Sequence, residues 1–302
     1  MMNTVYFDSP ASDDIRRQQL YEGQLFVYSP RPSSIAFCEF ALTIIKEGFG
    51  GLDPRVAQRM MPVEEYAAIL GKIKPNFIHH QKSKEYIQKL LVEMGCDLEK
   101  TYFDVPRMRS STSDGYLTTG IAYAWHPHRD TWYSAPTCQI NWWIPICEIV
   151  SENTMAFHPR YWTQPIVNDS AKYNYTEWNK TFRYNAAQYL KEDPRPLPRA
   201  TEPMELNPQI RLICPAGGII LFSAAQMHSS VPNTSGVTRF SIDFRTVHID
   251  DVTAFRGAPN VDAACTGTTM NDYLRAVDLA HIPEEIVLEY DQRGSQITKP
   301  VL

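Results

Sequence analysis

The pattern of apolar residues changes near residue 100, and this change constrains the fold more than any other feature of the chain. Before residue 100, apolar residues recur every three or four positions, which is the period of a helix. After it, short runs rich in β-branched and aromatic residues are separated by Gly, Pro, Asn and Ser. Helices followed by many short strands favour an α+β, mainly β fold, in which helices brace an antiparallel sandwich or barrel.

The helical part contains three well-marked segments. Ser33 or Ser34 is expected to cap a helix that ends near Lys46. Pro62 suits the first turn of a second helix, and residues 83–95 carry the apolar face of a third. The strands that follow are predicted over these ranges: 101–109, 119–126, 137–146, 154–157, 210–214, 218–222 and 239–247.

No repeat, low-complexity tract or long linker divides the chain, so a single domain is expected over residues 1–302. Its predicted parts are a helical part over about 20–100, a barrel core over about 101–250 with an insertion over about 160–206, and a C-terminal extension over 251–302. The insertion is rich in aromatic residues. It is either a surface insertion packed by its own aromatic side chains or a lid or wall of a substrate site.

The composition indicates a globular protein and gives no sign of a nucleic-acid or membrane partner. The chain is 43% hydrophobic and 21% charged, with a net charge of −5, whereas nucleic acids and anionic membranes favour a basic face. The longest apolar run, residues 35–45, contains Glu39 and is too short to span a bilayer. Six scattered cysteines and a polar, acidic N-terminus predict reduced thiols and a cytoplasmic protein. Nothing in the sequence indicates an oligomeric state.

The segment HPHRD, residues 126–130, is the first candidate metal site. Side chains two positions apart on an extended backbone project from the same face, so His128 could act with Asp130 or with His126. A pair of histidines in a cupin-type site needs a nearby Glu, which the following residues do not supply. His128 with Asp130 and one distant histidine would instead form a facial triad, which suits non-haem Fe(II).

The segment from PAGG at 215–218 to residue 247 supplies that distant histidine and an anion site. His228 follows a predicted hairpin and precedes a strand. On that strand Arg239, Ser241 and Arg245 project from one face. A buried arginine is costly unless it meets an anion, and its forked donors suit a carboxylate.

These motifs together resemble the iron- and 2-oxoglutarate-dependent dioxygenases, and within them the phytanoyl-CoA dioxygenase group that includes ectoine hydroxylase. The resemblance covers about residues 20–50 and 102–247 and rests on HRD at 128–130, the His228 segment and RFS at 239–241. It departs from the family pattern at 159–162, where Pro-Arg-Tyr-Trp replaces Pro-Gly-Ser-His. It implies a double-stranded β-helix, a jelly-roll or cupin-type barrel, braced by the N-terminal helices.

The resemblance also implies a chemistry and a set of roles. His128, Asp130 and His228 would bind Fe(II), and Arg239, helped by Ser241, would hold 2-oxoglutarate, with Arg245 as the second choice. The enzyme would use 2-oxoglutarate and O2 to oxidise a C–H bond of a small-molecule substrate, giving succinate and CO2. A carboxylate at position 130 indicates hydroxylation, and neither dealkylation nor desaturation is excluded, whereas chlorinating relatives carry Gly or Ala there.

Further contacts and two alternative functions remain open at this point. Gln139 and Asn141 share a strand face with Trp143, so the amides could bind 2-oxoglutarate or substrate if that face points inward. Trp132, Trp143 and His126 are candidate substrate contacts. The first alternative is a cupin-like metalloenzyme that uses His126 with His128. The second is a non-catalytic ligand-binding protein on the same scaffold.

Overall fold

The computed structural model describes residues 4–184 and 186–297. The helices of these ranges are α1 (Asp13–Tyr21), α2 (Pro32–Gly48), α3 (Val63–His79), α4 (Gln81–Glu93), α5 (Tyr175–Thr181), α6 (Ile249–Thr253) and α7 (Glu284–Ile297). The strands are β1 (Val5–Phe7), β2 (Leu25–Tyr28), β3 (Thr101–Phe103), β4 (Arg107–Ser111), β5 (Ile140–Pro145), β6 (Met155–Phe157), β7 (Ile210–Leu212), β8 (Ile219–Ser223), β9 (His228–Ser230), β10 (Arg239–His248) and β11 (Leu274–Arg275).

The strands form two sheets. The larger sheet has the order β1-β2-β8-β5-β10-β3-β11, with β4 also paired to β10. Its strand pairs are antiparallel except for β1 with β2. β10 is long enough to pair with β5 along one edge and with both β3 and β4 along the other. The smaller sheet has the order β7-β6-β9.

The two sheets face each other across an apolar layer. Phe157 on β6 meets Phe222 on β8 edge to face, with ring centroids 5.1 Å apart. One buried cluster joins residues of both sheets, including Leu25, Trp143 and Leu212. Because side chains alternate along a strand, only every second residue of β5 and β8 enters this layer.

The opposite face of the larger sheet is covered by helices. Ile140, Trp142 and Ile144 of β5 belong to the cluster that also contains residues of α2, α3 and α4, such as Phe37 and Leu70. The three predicted helices are therefore confirmed, and their apolar stripes are buried for the reason expected, to cover a sheet. The expected cap of the first helix is wrong, because α2 begins at Pro32 with Arg31 as its N-cap, and Ser33 and Ser34 lie in its first turn. Within the described residues, no helix is long and apolar enough to cross a membrane.

Most strand predictions are confirmed, but the strand expected over 119–126 is wrong. The chain there forms a short 3-10 turn at Gly120–Ala122. Gly120 adopts φ +55°, and a Cβ at this position would lie 2.3 Å from the carbonyl oxygen of Ala186. The backbone of the insertion therefore packs directly on this turn, a contact that the local sequence pattern does not reveal.

Candidate metal centre and cavity

His128 and His228 lie side by side at the open edge of the smaller sheet. The backbone N–H of each donates to the carbonyl oxygen of the other, both at 3.0 Å, which is one antiparallel bridge. This bridge brings two residues that are a hundred positions apart to a ring separation of 4.3 Å between centroids.

The two imidazole rings are held by the same kind of contact, between Nδ1 and a backbone carbonyl oxygen. Nδ1 of His128 lies 2.7 Å from the carbonyl oxygen of His126, and Nδ1 of His228 lies 2.9 Å from that of Gln226. A neutral imidazole that donates through Nδ1 keeps the lone pair of Nε2 for a metal. Both Nε2 atoms face Asp130 Oδ1, at 3.4 Å from His128 and 3.9 Å from His228.

Asp130 completes the group from the first position of a 3-10 turn, Asp130–Tyr133. Arg129 has extended backbone angles, so residues 128 and 130 project to the same side as predicted. Ligand atoms of His128, Asp130 and His228 all lie within 4.8 Å of one another. No other group of three potential metal ligands meets in this way among the described residues.

The electrostatics of the triad favour the protonation states that a metal needs. Burial disfavours the ionised form of Asp130, but the hydrogen bond with His128 and the nearby charges of His228 and Arg245 together outweigh burial and hold the pKa of this carboxyl below its ordinary value. Burial, followed by the neighbouring His128, lowers the pKa of His228 to about 3. At neutral pH the group is therefore a carboxylate beside a neutral imidazole.

A chain of amides supports Asp130 from the floor of the cavity. Gln139 Nε2 donates to Asp130 Oδ2 at 3.0 Å and to Asn141 Oδ1 at 2.9 Å, while Gln139 Oε1 accepts from Tyr273 OH at 2.8 Å. The strand face that carries these amides does point inward. Asn141 Nδ2 is buried and has no hydrogen-bond partner among the described residues, so it is a free donor beside the triad.

Arg239 lies buried in the same interior, 3% exposed. It donates from Nε to the carbonyl oxygen of Asn153 at 3.0 Å and from Nη1 to Ser241 Oγ at 2.7 Å, and its guanidinium lies over the ring of Trp143. No carboxylate of the described chain lies within ion-pair distance of it. Burial lowers the pKa of this guanidinium to about 10, which shows the cost of an uncompensated charge.

Arg245, the second choice for an anion site, has a different environment. Its Nη1 lies 3.1 Å from Asp104 Oδ2 and its Nη2 lies 3.8 Å from Asp243 Oδ2. Despite burial, Asp104 and then Asp243 raise the pKa of Arg245 above its ordinary value. Its positive charge is therefore already balanced by the protein.

A cavity of about 610 Å³ opens beside the triad. Arg239, Gln139, Asn141 and Trp143 all line it. One wall is aromatic: the ring of Trp125 lies 4.9 Å from that of His128, and Tyr133 meets His128 edge to face at 5.4 Å. The insertion supplies further lining residues, which are Tyr173, Tyr175, Trp178, Arg183, Tyr184, Ala186, Ala187, Arg195 and Leu197. Of the two interpretations of the insertion, the wall of a site is the one supported.

Two of the expected substrate contacts lie elsewhere. Trp132 is fully buried behind the triad, where its Nε1 donates to Asp262 Oδ1 at 2.7 Å, and it does not line the cavity. Its ring fills an apolar cluster with Tyr161 and Met227, since the 3-10 turn directs it away from the interior. His126 is exposed and outside the lining, so only its carbonyl oxygen takes part in the site.

The structure also places in the cavity a residue that the sequence analysis did not select. Lys74 of α3 lines the cavity and is 7% exposed. It lies four positions after Leu70, on the apolar stripe of its helix. A lysine at a position that should face the core is the signal that could have identified it.

Comparison with known proteins gives matches among solved structures alone. No family model matches the chain, and no curated protein matches it. The chain is similar to the epimerase SnoN in complex with Fe3+, alpha ketoglutarate and nogalamycin RO, with 14% identity over 78% of this chain and 85% of that chain and a TM-score of 0.41. It is similar to EvdO2 from Micromonospora carbonacea var. aurantiaca complexed with 2-oxoglutarate, with 12% identity over 82% and 94% and a TM-score of 0.44. It is also similar to AviO1 from Streptomyces viridochromogenes Tue57, with 14% identity over 79% and 96% and a TM-score of 0.38. At such low identities and scores, the chemistry of this site rests on its own residues.

Proposed function

We propose that the chain is a non-haem Fe(II)/2-oxoglutarate-dependent dioxygenase that hydroxylates a C–H bond of a small-molecule metabolite. The observation that carries the proposal is the triad of His128, Asp130 and His228, whose Nε2 and carboxylate atoms converge within 4.8 Å at the wall of a cavity. We further propose that the two facing sheets form a double-stranded β-helix, that the chain belongs to the PhyH-like group, and that it is one cytoplasmic domain.

The donor set fits Fe(II). Two imidazoles and one carboxylate on one side of an ion form the facial triad typical of non-haem iron oxygenases and leave positions open for other ligands. The carbonyl oxygens of His126 and Gln226 fix both rings, and Gln139 fixes the carboxylate. Such supporting bonds orient metal ligands in known sites.

The cavity also fits 2-oxoglutarate. Arg239 is a buried guanidinium without a carboxylate partner, and a carboxylate is the anion that its donors match best. Ser241 Oγ, 2.7 Å from Arg239, is placed to donate to the same carboxylate. The free donor of Asn141 lies nearer the triad, because it is joined through Gln139 to Asp130. We therefore assign Arg239, and not Arg245, as the cosubstrate anchor.

Iron and 2-oxoglutarate, when bound, would supply the activation of O2, with the substrate C–H converted to C–OH and 2-oxoglutarate to succinate and CO2. The residues of the chain position the metal ligands and keep them in the required protonation states. Asp130 stays ionised, His228 stays neutral, and Gln139 and Tyr273 keep the carboxylate in place. The aromatic wall formed by Trp125 and Tyr133 displaces water from the space in which the substrate lies.

Anaerobic addition of Fe(II) and 2-oxoglutarate to the purified protein tests the proposal. A visible charge-transfer band is expected in the wild type and should be absent in Asp130→Ala. Incubation with a metabolite library in air should then give succinate with at least one compound. A band without turnover on any compound would favour a non-catalytic binding protein, and the absence of any band would contradict the proposal.

A further inference from the structure

Lys74 is a buried ammonium group in the wall of the cavity. Its Nζ donates to Ser110 Oγ at 3.0 Å and to the carbonyl oxygen of Ile121. Lys74, Ser110 and Ile121 all line the cavity, so these bonds lie at its surface. Lysine has three N–H donors, and these two bonds leave one donor for a ligand.

This ammonium has no counter-ion among the residues that the structure describes. Among the described residues no carboxylate lies within 4.0 Å of its Nζ, although other basic residues of the cavity have such partners. Arg109, for example, is 2.6 Å from Asp243, and Arg195 is 2.5 Å from Asp193. Burial, followed by the charge of Arg109, lowers the pKa of Lys74 to about 7, and a bound anion would raise it again.

The cavity as a whole has an excess of positive charge. Its lining contains seven basic side chains, which are Lys74, Arg107, Arg109, Arg183, Arg195, Arg239 and Arg245. It contains four acidic side chains, which are Asp104, Asp130, Asp243 and Asp272. With Asp193 counted as the partner of Arg195 and with Lys74 in its ammonium form, seven positive and five negative charges leave an excess of two, and the excess is one when Lys74 is neutral. The charges of Fe(II) and of the 2-oxoglutarate dianion cancel each other, so the site keeps this excess of positive charge when both are bound.

We propose that the substrate is an anionic small molecule, with a carboxylate, sulfate or phosphate group that Lys74 binds. The body of the substrate then lies along the aromatic wall of Trp125, Tyr133 and Tyr173, whose rings contact one another in sequence toward the insertion. A charge-assisted hydrogen bond in a buried site contributes more than a neutral one, so the acidic group fixes the orientation of the ligand. This inference rests on the proposed function, because it concerns the substrate of that same site.

The structure offers one other role for Lys74, which is to join α3 to β4 and to the turn at Gly120–Ala122 through Ser110 and Ile121. A purely structural lysine would not distinguish an acid from its amide. The test therefore compares two probes of the same shape, 2-naphthoate and 2-naphthamide.

The two probes are titrated by calorimetry into protein loaded anaerobically with Fe(II) and saturating 2-oxoglutarate, which keeps naphthoate away from Arg239. We expect the wild type to bind naphthoate at least about tenfold more tightly than naphthamide. Lys74→Met should bring the ratio of the two affinities close to one, whereas Lys74→Arg should retain the preference. Lys72→Met is the matched control, because Lys72 is an exposed lysine of the same helix, and it should leave the ratio unchanged.

Equal affinity of the wild type for the two probes would overturn the inference, and so would a preference that persists in Lys74→Met. The wild-type comparison stands even where a variant fails to fold. The charge-transfer band is recorded on the same samples. If the charge-transfer band is present but naphthoate is not preferred over naphthamide, only the role of Lys74 is overturned. If the charge-transfer band is absent, the proposed function is overturned.

Discussion

Replacement of Arg239 by Met should weaken 2-oxoglutarate binding while leaving the unliganded fold intact or more stable. This pairing of effects follows from the position of the guanidinium, which is buried but faces no carboxylate of the described chain. A buried, unpaired charge lowers the stability of the protein, and an anion that binds to it should offset this loss.

The cost can be worked out from the pKa of Arg239. Burial lowers it from 12.5 to about 10, and at about 1.4 kcal/mol per pKa unit the buried charge costs on the order of 3 kcal/mol. Met removes this cost but also removes the hydrogen bonds to Asn153 and Ser241, which contribute about 1 kcal/mol each. We therefore expect a free energy of unfolding between the wild-type value and about 2 kcal/mol above it.

The loss of affinity should be larger than this change in stability. Removing one partner of a buried, charge-assisted pair typically costs about 2–5 kcal/mol of binding free energy. Since about 1.4 kcal/mol is a factor of ten, the dissociation constant for 2-oxoglutarate should rise by roughly 30-fold to 1000-fold or more. Anaerobic titration of the charge-transfer band measures this constant, and denaturant unfolding of the metal-free protein measures stability.

Arg245→Met is the matched control, since Arg245 lies on the same face of β10 but is paired with Asp104 and Asp243. Its loss leaves buried carboxylates less well compensated and should lower the free energy of unfolding by about 3 kcal/mol. Opposite signs of the two stability changes are the expected outcome. A destabilised Arg239→Met protein that still binds 2-oxoglutarate normally would refute the reasoning.

Three further predictions concern the triad, its support and Lys74. Asp130→Ala should lose Fe(II) binding while His126→Ala keeps it, and a metal titration in which His126→Ala loses the metal would favour the cupin-like alternative. Gln139→Leu should weaken Fe(II) binding by about 10- to 100-fold in the same titration, because Asp130 loses its supporting donor. The pKa of Lys74 is about 10.5 in the unfolded state and about 7 in the folded state, so between these pH values the unfolded state binds more protons. The free energy of unfolding should therefore rise with pH over this range. Relative to Lys74→Met, the rise should reach at most about 5 kcal/mol, and parallel pH profiles of the two proteins would contradict it.

Periodicity predicted the fold class because each period is tied to a buried surface. The helical stripe of residues such as Leu70 and the alternation along β5 both predict which side chains become buried on folding. These side chains are buried in the structure, as expected. The exception at 119–126 is instructive. Its apolar and aromatic residues form a turn because the backbone near Ala186 packs on Gly120, a contact set by a segment more than sixty residues away.

Local sequence patterns specify the kinds of donor available to the site. A histidine and an aspartate two positions apart must project together from an extended segment, and the alternation on β10 must place Arg239 and Ser241 on one face. These relations are local, so they hold whatever the rest of the chain does.

Long-range packing of the described residues sets which of these groups meet and which remain without a partner. The bridge between His128 and His228 joins positions a hundred residues apart. The ion pairs with Asp104 and Asp243 balance the charge of Arg245, whereas the charge of Arg239 has no such partner among the described residues. The same packing buries Lys74 at the cavity and turns Trp132 away from it. Burial and charge compensation depend on distances through space, and for that reason no local pattern specified them.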